Sequence, residues 1–182
     1  MITILNNNLT LHLFKKPAKK DISFIKESFS FHPSVISELN HPTLHPKIES
    51  YNDHAFLVLR FPQFDKKQEH NLVASEVDFI INKNQLIIVQ YQDFEALDLL
   101  LNQLGREEEK QNEFFYQNTG YLLFKIIDYL FRSLYKELDH ITHKVDKAEE
   151  EIFASKEETL LKLISYYRRE AADFRRIIKP NL

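Results

Sequence analysis

Three groups of side chains in this sequence have the types and spacing to do chemistry. Asp139, His143 and Asp146 stand four and three residues apart, with His140 beside them. On a helix that spacing brings imidazole and carboxylate to one face, a donor set that zinc accepts. A charged helix produces the same pattern as a plain solvated face, and that is the commoner outcome. Glu149, Glu150 and Glu151 form an acid run. It can draw hydrated cations toward itself or simply close a charged helix end. His32-Pro33, His41-Pro42 and His45-Pro46 repeat one dipeptide. Proline mainly biases the residue before it toward extended geometry, so these pairs read as punctuation between elements.

Other chemistries are excluded by composition. The chain has no cysteine, which removes disulfides, thiolate metal sites and cysteine nucleophiles. Its only glycines are Gly105 and Gly120, so no glycine-rich loop can cradle a phosphate. A nucleophile elbow and a paired-histidine zinc motif are also missing, and the expectation is that the protein is not an enzyme. A formal charge of −3 gives no basic footprint for nucleic acid. With 43% hydrophobic residues there is ample material for a core.

The elements that must position these residues divide by period. Up to about residue 91 the pattern is mostly strand-like. Ile2 and Ile4 alternate with polar positions, as do Leu9, Leu11 and Leu13. A helix is expected near Lys19 to Phe29, from the spacing of Ile22, Ile25 and Phe29. Phe56, Val58 and Phe61 form an apolar run that Pro62 is expected to end. Val73, Val77, Phe79 and Ile81 mark a long strand, and Asn82 to Gln85 turns it into Leu86 to Val89 as a hairpin.

From about Phe94 the period becomes helical. Ile127, Phe131, Leu134, Leu138, Ile141, Val145, Ala148 and Ile152 follow a 4-3 spacing, and Leu160, Ile164, Tyr167, Ala171, Phe174 and Ile178 repeat it. Ser155 and Glu158 have the form of a capping box, so the second helix is expected to start there. The short connection predicts an antiparallel hairpin whose first helix is on the order of 45–50 Å long. The expected fold class is α/β, a mixed and largely antiparallel central sheet with flanking helices. The expected division is an α/β part at 1–115 and the hairpin at 116–182. No stretch reaches the roughly 18–20 apolar residues that span a bilayer, and the N-terminus lacks a signal-peptide layout. The chain is expected to be soluble and cytoplasmic.

Three stretches, in order, resemble the cytoplasmic region of CorA-type magnesium channels. The first is Phe31-His32-Pro33-Ser34-Val35-Ile36-Ser37-Glu38, similar to the family's His-Pro-Leu-x-Leu-Glu-Asp. The second runs from His45-Pro46-Lys47-Ile48-Glu49 through Leu59 and continues into the hairpin of Glu76-Val77-Asp78-Phe79 with Leu86 to Val89. The third runs from Leu122 through Asp128 to Asp146 and Glu149 to Glu151. The family's Gly-Met-Asn signature is absent, since the only methionine is Met1.

The resemblance implies the cytoplasmic domain of a homopentameric channel for Mg2+, or for Co2+, Ni2+ or Zn2+ in relatives, at the inner face of the cell membrane. Its partners would be its own subunits, divalent cations and, through further C-terminal helices, the membrane. It implies that cation binding between subunits regulates gating. Glu38 falls where the family places the second acid of its Glu-Asp pair, which makes it the implied metal ligand; Ser37 replaces the first. Pro180 lies near the position that precedes the family's stalk helix, so a longer natural chain is expected. A zinc-transporting relative, and a free-standing interaction module that has lost the pore, are the alternatives.

Overall fold

The computed structural model describes residues 1–6, 8–65, 72–152 and 157–181, with the side chains at 137, 140, 148–152 and 157–162 outside the described set. Its centre is a sheet of six described strands: β1 (Ile2–Asn6), β2 (Leu9–Lys15), β3 (Lys47–Ser50), β4 (His54–Phe64), β5 (Leu72–Asn82) and β6 (Gln85–Gln90). Their spatial order is β1-β2-β6-β5-β4-β3. Neighbours run antiparallel except β2 and β6, which pair in parallel with Leu11 opposite Leu86 and Phe14 opposite Val89. The expected mixed, largely antiparallel sheet is the one observed.

Alternation along these strands feeds two cores, one on each face of the sheet. Leu11, Leu13, Leu59, Phe61, Val77, Phe79, Leu86 and Ile88 face one layer of helices. That layer holds α3 (Glu95–Leu104), α4 (Glu108–Phe114) and α5 (Thr119–Ile152). Phe14, Phe56, Val58, Ile80, Ile87 and Val89 face the other layer. This layer holds α1 (Lys19–Ser28) and α2 (Pro33–Glu38), which bury Ile22, Ile25, Val35 and Ile36. A strand covered on both faces reads as nearly continuous apolar sequence, as in β6.

The structure departs from the expected end of β4 at Pro62. The strand runs on to Phe64, with Pro62 opposite Ala74. The register explains the tolerance. β3 covers β4 only from Ala55 to Val58, so the outer edge of β4 is open beyond that point. The Arg60 N–H points to that open edge, where it donates to Asn181 Oδ1 at 3.0 Å. Pro62 has the same orientation two residues on, so its missing N–H removes nothing from the ladder with β5.

α5 starts where Asn118 Oδ1 accepts the Tyr121 N–H at 2.9 Å, an N-cap contact. The Thr119 hydroxyl donates to the Asn82 carbonyl at 2.6 Å, which pins the helix to the β5–β6 turn. Its 34 residues make it about 51 Å long at 1.5 Å per residue. Leu122, Ile126, Leu130 and Leu134 form its buried line, at a spacing of four, because this half lies on the sheet. α6 (Glu157–Ile178) runs back antiparallel: Lys144 meets Glu170, while Phe131 and Leu134 share a groove with Phe174. Two positions of the expected seam fall elsewhere. Leu138 is 42% exposed, and Ala171 is exposed beside buried Glu170 and Ile177. Ser155 lies outside the described residues, so the expected cap there does too.

Candidate functional site

The α1/α2 side of the sheet carries a set of charged groups at the edge of a core. His32 caps α2, its Nδ1 accepting the Ser34 N–H at 3.3 Å, and Pro33 takes the first helical position. The stacked rings of His32, Tyr51 and His54 hold this end of the helix, with centroids 4.8 and 4.7 Å apart. Burial of Val35, Ile36 and Leu39 then leaves Glu38 at the last turn, half-buried and facing β3.

β3 supplies the opposing charges. Lys47 and Glu49 share one face of the strand by its period of two, while Ile48 points away and is 72% exposed. Lys47 Nζ lies 2.5 Å from Glu38 Oε2 and 2.8 Å from Glu49 Oε1. The Tyr51 hydroxyl donates to Glu49 Oε2 at 2.8 Å. Burial works to lower the Lys47 pKa, but the hydrogen bonds to Glu38 and Glu49 outweigh it and hold the ammonium above its ordinary value. Bonds from Lys47 and then Tyr51 hold Glu49 below the usual carboxylate range. One cation is thus held between two carboxylates from different elements.

Beneath this pair lies a buried acidic row that sequence reasoning missed as a site. Lys47, Val58, Asp78 and Val89 are cross-strand partners in turn, and Glu76 lies two residues before Asp78 on the same face of β5. Glu76 accepts the backbone N–H groups of Thr43 at 2.6 Å and Leu44 at 2.8 Å. Asp78 is fully buried; its Oδ2 accepts from the Tyr91 hydroxyl at 2.6 Å and its Oδ1 has no partner among the described residues. Burial pushes the Asp78 carboxyl up to about 7, against the pull of the Tyr91 bond and with help from Glu76. The signal was present in the sequence: two acids at i and i+2 of an apolar strand must share a buried face.

The other candidates stay apart. Asp139, His143 and Asp146 lie exposed on α5, and His140 and Glu149 to Glu151 have side chains outside the described set. Among the described residues no group of three or more histidine, aspartate and glutamate side chains could hold a metal ion. Among the same residues no helix is long and apolar enough to cross a membrane. Glu38 and Glu49 are the carboxylates this chain places about the Lys47 ammonium.

Residues 11–182 match the model of a family described as CorA-like Mg2+ transporter protein. The Cobalt/magnesium transport protein CorA of Thermotoga maritima is 26% identical over 158 residues, covering 86% of this chain and 43% of that protein. In fold, the chain is similar to the complete CorA magnesium transporter of Methanocaldococcus jannaschii, with a TM-score of 0.76 at 15% identity over 99% of this chain and 55% of that one. It is also similar to the ZntB cytoplasmic domain of Vibrio parahaemolyticus, with a TM-score of 0.73 at 13% identity over 95% of this chain and 66% of that one. The chain spans less than half of the curated relative and about half of the complete solved transporter.

Proposed function

We propose a regulatory role in divalent-cation transport for this chain, which belongs to the CorA-like Mg2+ transporter protein family. In this reading it is a cytoplasmic domain of a homo-oligomeric, pentameric channel, with residues 1–115 as the α/β part and 116–182 as the helical hairpin. Mg2+ is the substrate of the whole protein, and a cation bound between neighbouring subunits at Glu38 biases the assembly toward its closed state. An ion that binds one arrangement better shifts the population toward it, and its removal leaves facing carboxylates to repel each other.

The observation that supports this reading is the place of Lys47. Its ammonium lies between Glu38 and Glu49, so this surface already gathers carboxylate oxygens about one positive charge. Mg2+ keeps several waters and takes only one or two carboxylates from a protein, which fits a single glutamate from each chain. A second chain would then complete the site.

Calorimetric titration of this chain with Mg2+, in parallel with Zn2+, tests the proposal. Binding at about millimolar Kd or weaker, lost in Glu38→Gln, is expected for a half-site. Micromolar affinity for the single chain, or binding that Glu38→Gln leaves intact, would overturn it. A marked preference for Zn2+ would move the assignment to a zinc-transporting relative of the family. A divalent-cation response absent altogether would favour the free-standing interaction module.

A further inference from the structure

The connection from α2 to β3, residues 39–46, is held in a strained form by two charged side chains of the sheet, buried Glu76 and half-buried Arg60. Leu44 has a φ of 65°, in the left-handed region that costs a non-glycine residue free energy. Glu76 clamps it by accepting the Thr43 and Leu44 N–H groups, and Arg60 Nη1 donates to the Leu44 carbonyl at 2.9 Å. A cleft of about 310 Å³ opens beside the clamp, lined by Pro42, Leu44, Arg60, Glu76, Tyr91 and Gln92. Tyr91 leads from this cleft to Asp78, whose Oδ1 is buried and unpartnered among the described residues.

We propose that Asp78 is a proton-binding site that locks the 39–46 connection onto the sheet, and that proton release from it to solvent loosens this strap. The neutral carboxyl suits its surroundings: Val58 and Val89 flank it across the strands, and Ile80 follows on the same face. Loss of the proton creates a second carboxylate two residues from Glu76 in a poorly solvated site. Like charges there repel strongly, and an ionised oxygen with no donor demands water. Water enters through the cleft, and Glu76 gains by turning out toward it. Either movement releases Thr43 and Leu44, and the strain at Leu44 favours their departure.

The charged and titratable groups around Asp78 come from every element on this side. Glu76 stands on β5, Arg60 on β4, Lys47 on β3, Glu38 on α2 and Tyr91 just after β6, while α1 turns only Ile22 and Ile25 inward. Among these, Lys47 favours the charged form of Asp78, whereas Glu76 and Glu38 oppose it. Burial pushes the Tyr91 phenol up, so it remains a donor throughout. His41 and His45 of the connection are exposed, so the test must separate their signals from that of Asp78.

Carboxyl carbon NMR of the whole chain, labelled at aspartate, gives the direct readout. One aspartate should titrate near neutral pH and vanish from the spectrum of Asp78→Asn. Tyr91→Phe should move its midpoint upward, because the lost bond favoured the carboxylate. Hydrogen exchange at the Thr43 and Leu44 amides should accelerate through the same pH range in the parent by more than the intrinsic tenfold per pH unit. In Asp78→Asn it should follow the intrinsic rate alone. If every aspartate in the parent titrates below about pH 5.5, there is no such proton site. If the aspartate titrates but the two amides keep the intrinsic dependence, the lock is wrong. The parent spectrum alone decides the first point should the variant fail to fold.

Discussion

Lys47 Nζ sits 2.5 Å from Glu38 Oε2, joining the last turn of α2 to the first residue of β3. Both side chains are 28% exposed, so the pair is neither a free surface bridge nor a dry one. Any divalent cation taken by Glu38 competes with an ammonium already in place. Lys47→Gln should therefore raise the affinity of this chain for Mg2+ several-fold, whereas Glu38→Gln should abolish it. Titration calorimetry on both variants checks the prediction, and unchanged affinity in Lys47→Gln would show that the two cations do not share a site.

Asp78 makes stability depend on pH with a definite sign. Its folded value is raised to about 7 from an ordinary 3.8, so between those limits the folded chain holds a proton that the unfolded chain has lost. Stability from this group is present in full below about pH 4 and drains away as pH rises through 7. Between pH 5 and pH 8 the loss should be about 3 kcal/mol. Urea unfolding at the two pH values should show it in the parent, and the difference should shrink sharply in Asp78→Asn.

Glu170 is 1% exposed and accepts an ion pair from Lys144 at 3.2 Å, while the same ammonium lies 4.6 Å over the Phe64 ring. One lysine on α5 thus meets α6 and β4 together. Lys144→Met removes this ion pair from the buried Glu170 carboxylate and should cost about 1–3 kcal/mol in unfolding free energy. Lys144→Arg should recover part of that loss. Equal stability of Lys144→Met and the parent would mean that the pair carries no net weight.

Asn181 serves the open edge of β4 as a single-residue strand would. Its side chain accepts the Arg60 N–H at 3.0 Å and donates to the Arg60 carbonyl at 2.6 Å. Asn181→Ala should cost about 1–2 kcal/mol, from two lost hydrogen bonds. Amide exchange at Arg60 should rise in that variant, while the amides of Leu59 and Phe61, which face β5, stay protected.

Alternation and helical period made the strands, the β5–β6 hairpin and the paired long helices legible in the sequence. These patterns are local: a strand alternates because its faces differ, and a helix repeats because one stripe is buried. The order of the three stretches resembling CorA-type channels likewise followed from residues alone. Period tells which residues share a face, however, and not what covers that face.

Only the tertiary structure decided the rest. Leu138 keeps the seam's spacing yet is exposed, while Glu170 is buried because Lys144 arrives from another helix. Pro62 continues a strand because β3 is too short to reach it. Glu38 was named from its place in a motif, but its lysine partner comes from across the strained connection at Leu44. Asp78 owes its proton affinity to burial between two valines and a tyrosine that only the sheet register brings together. The sequence by itself determined the elements and the family; charge placement depends on distances between elements, and those exist only once the layers have packed.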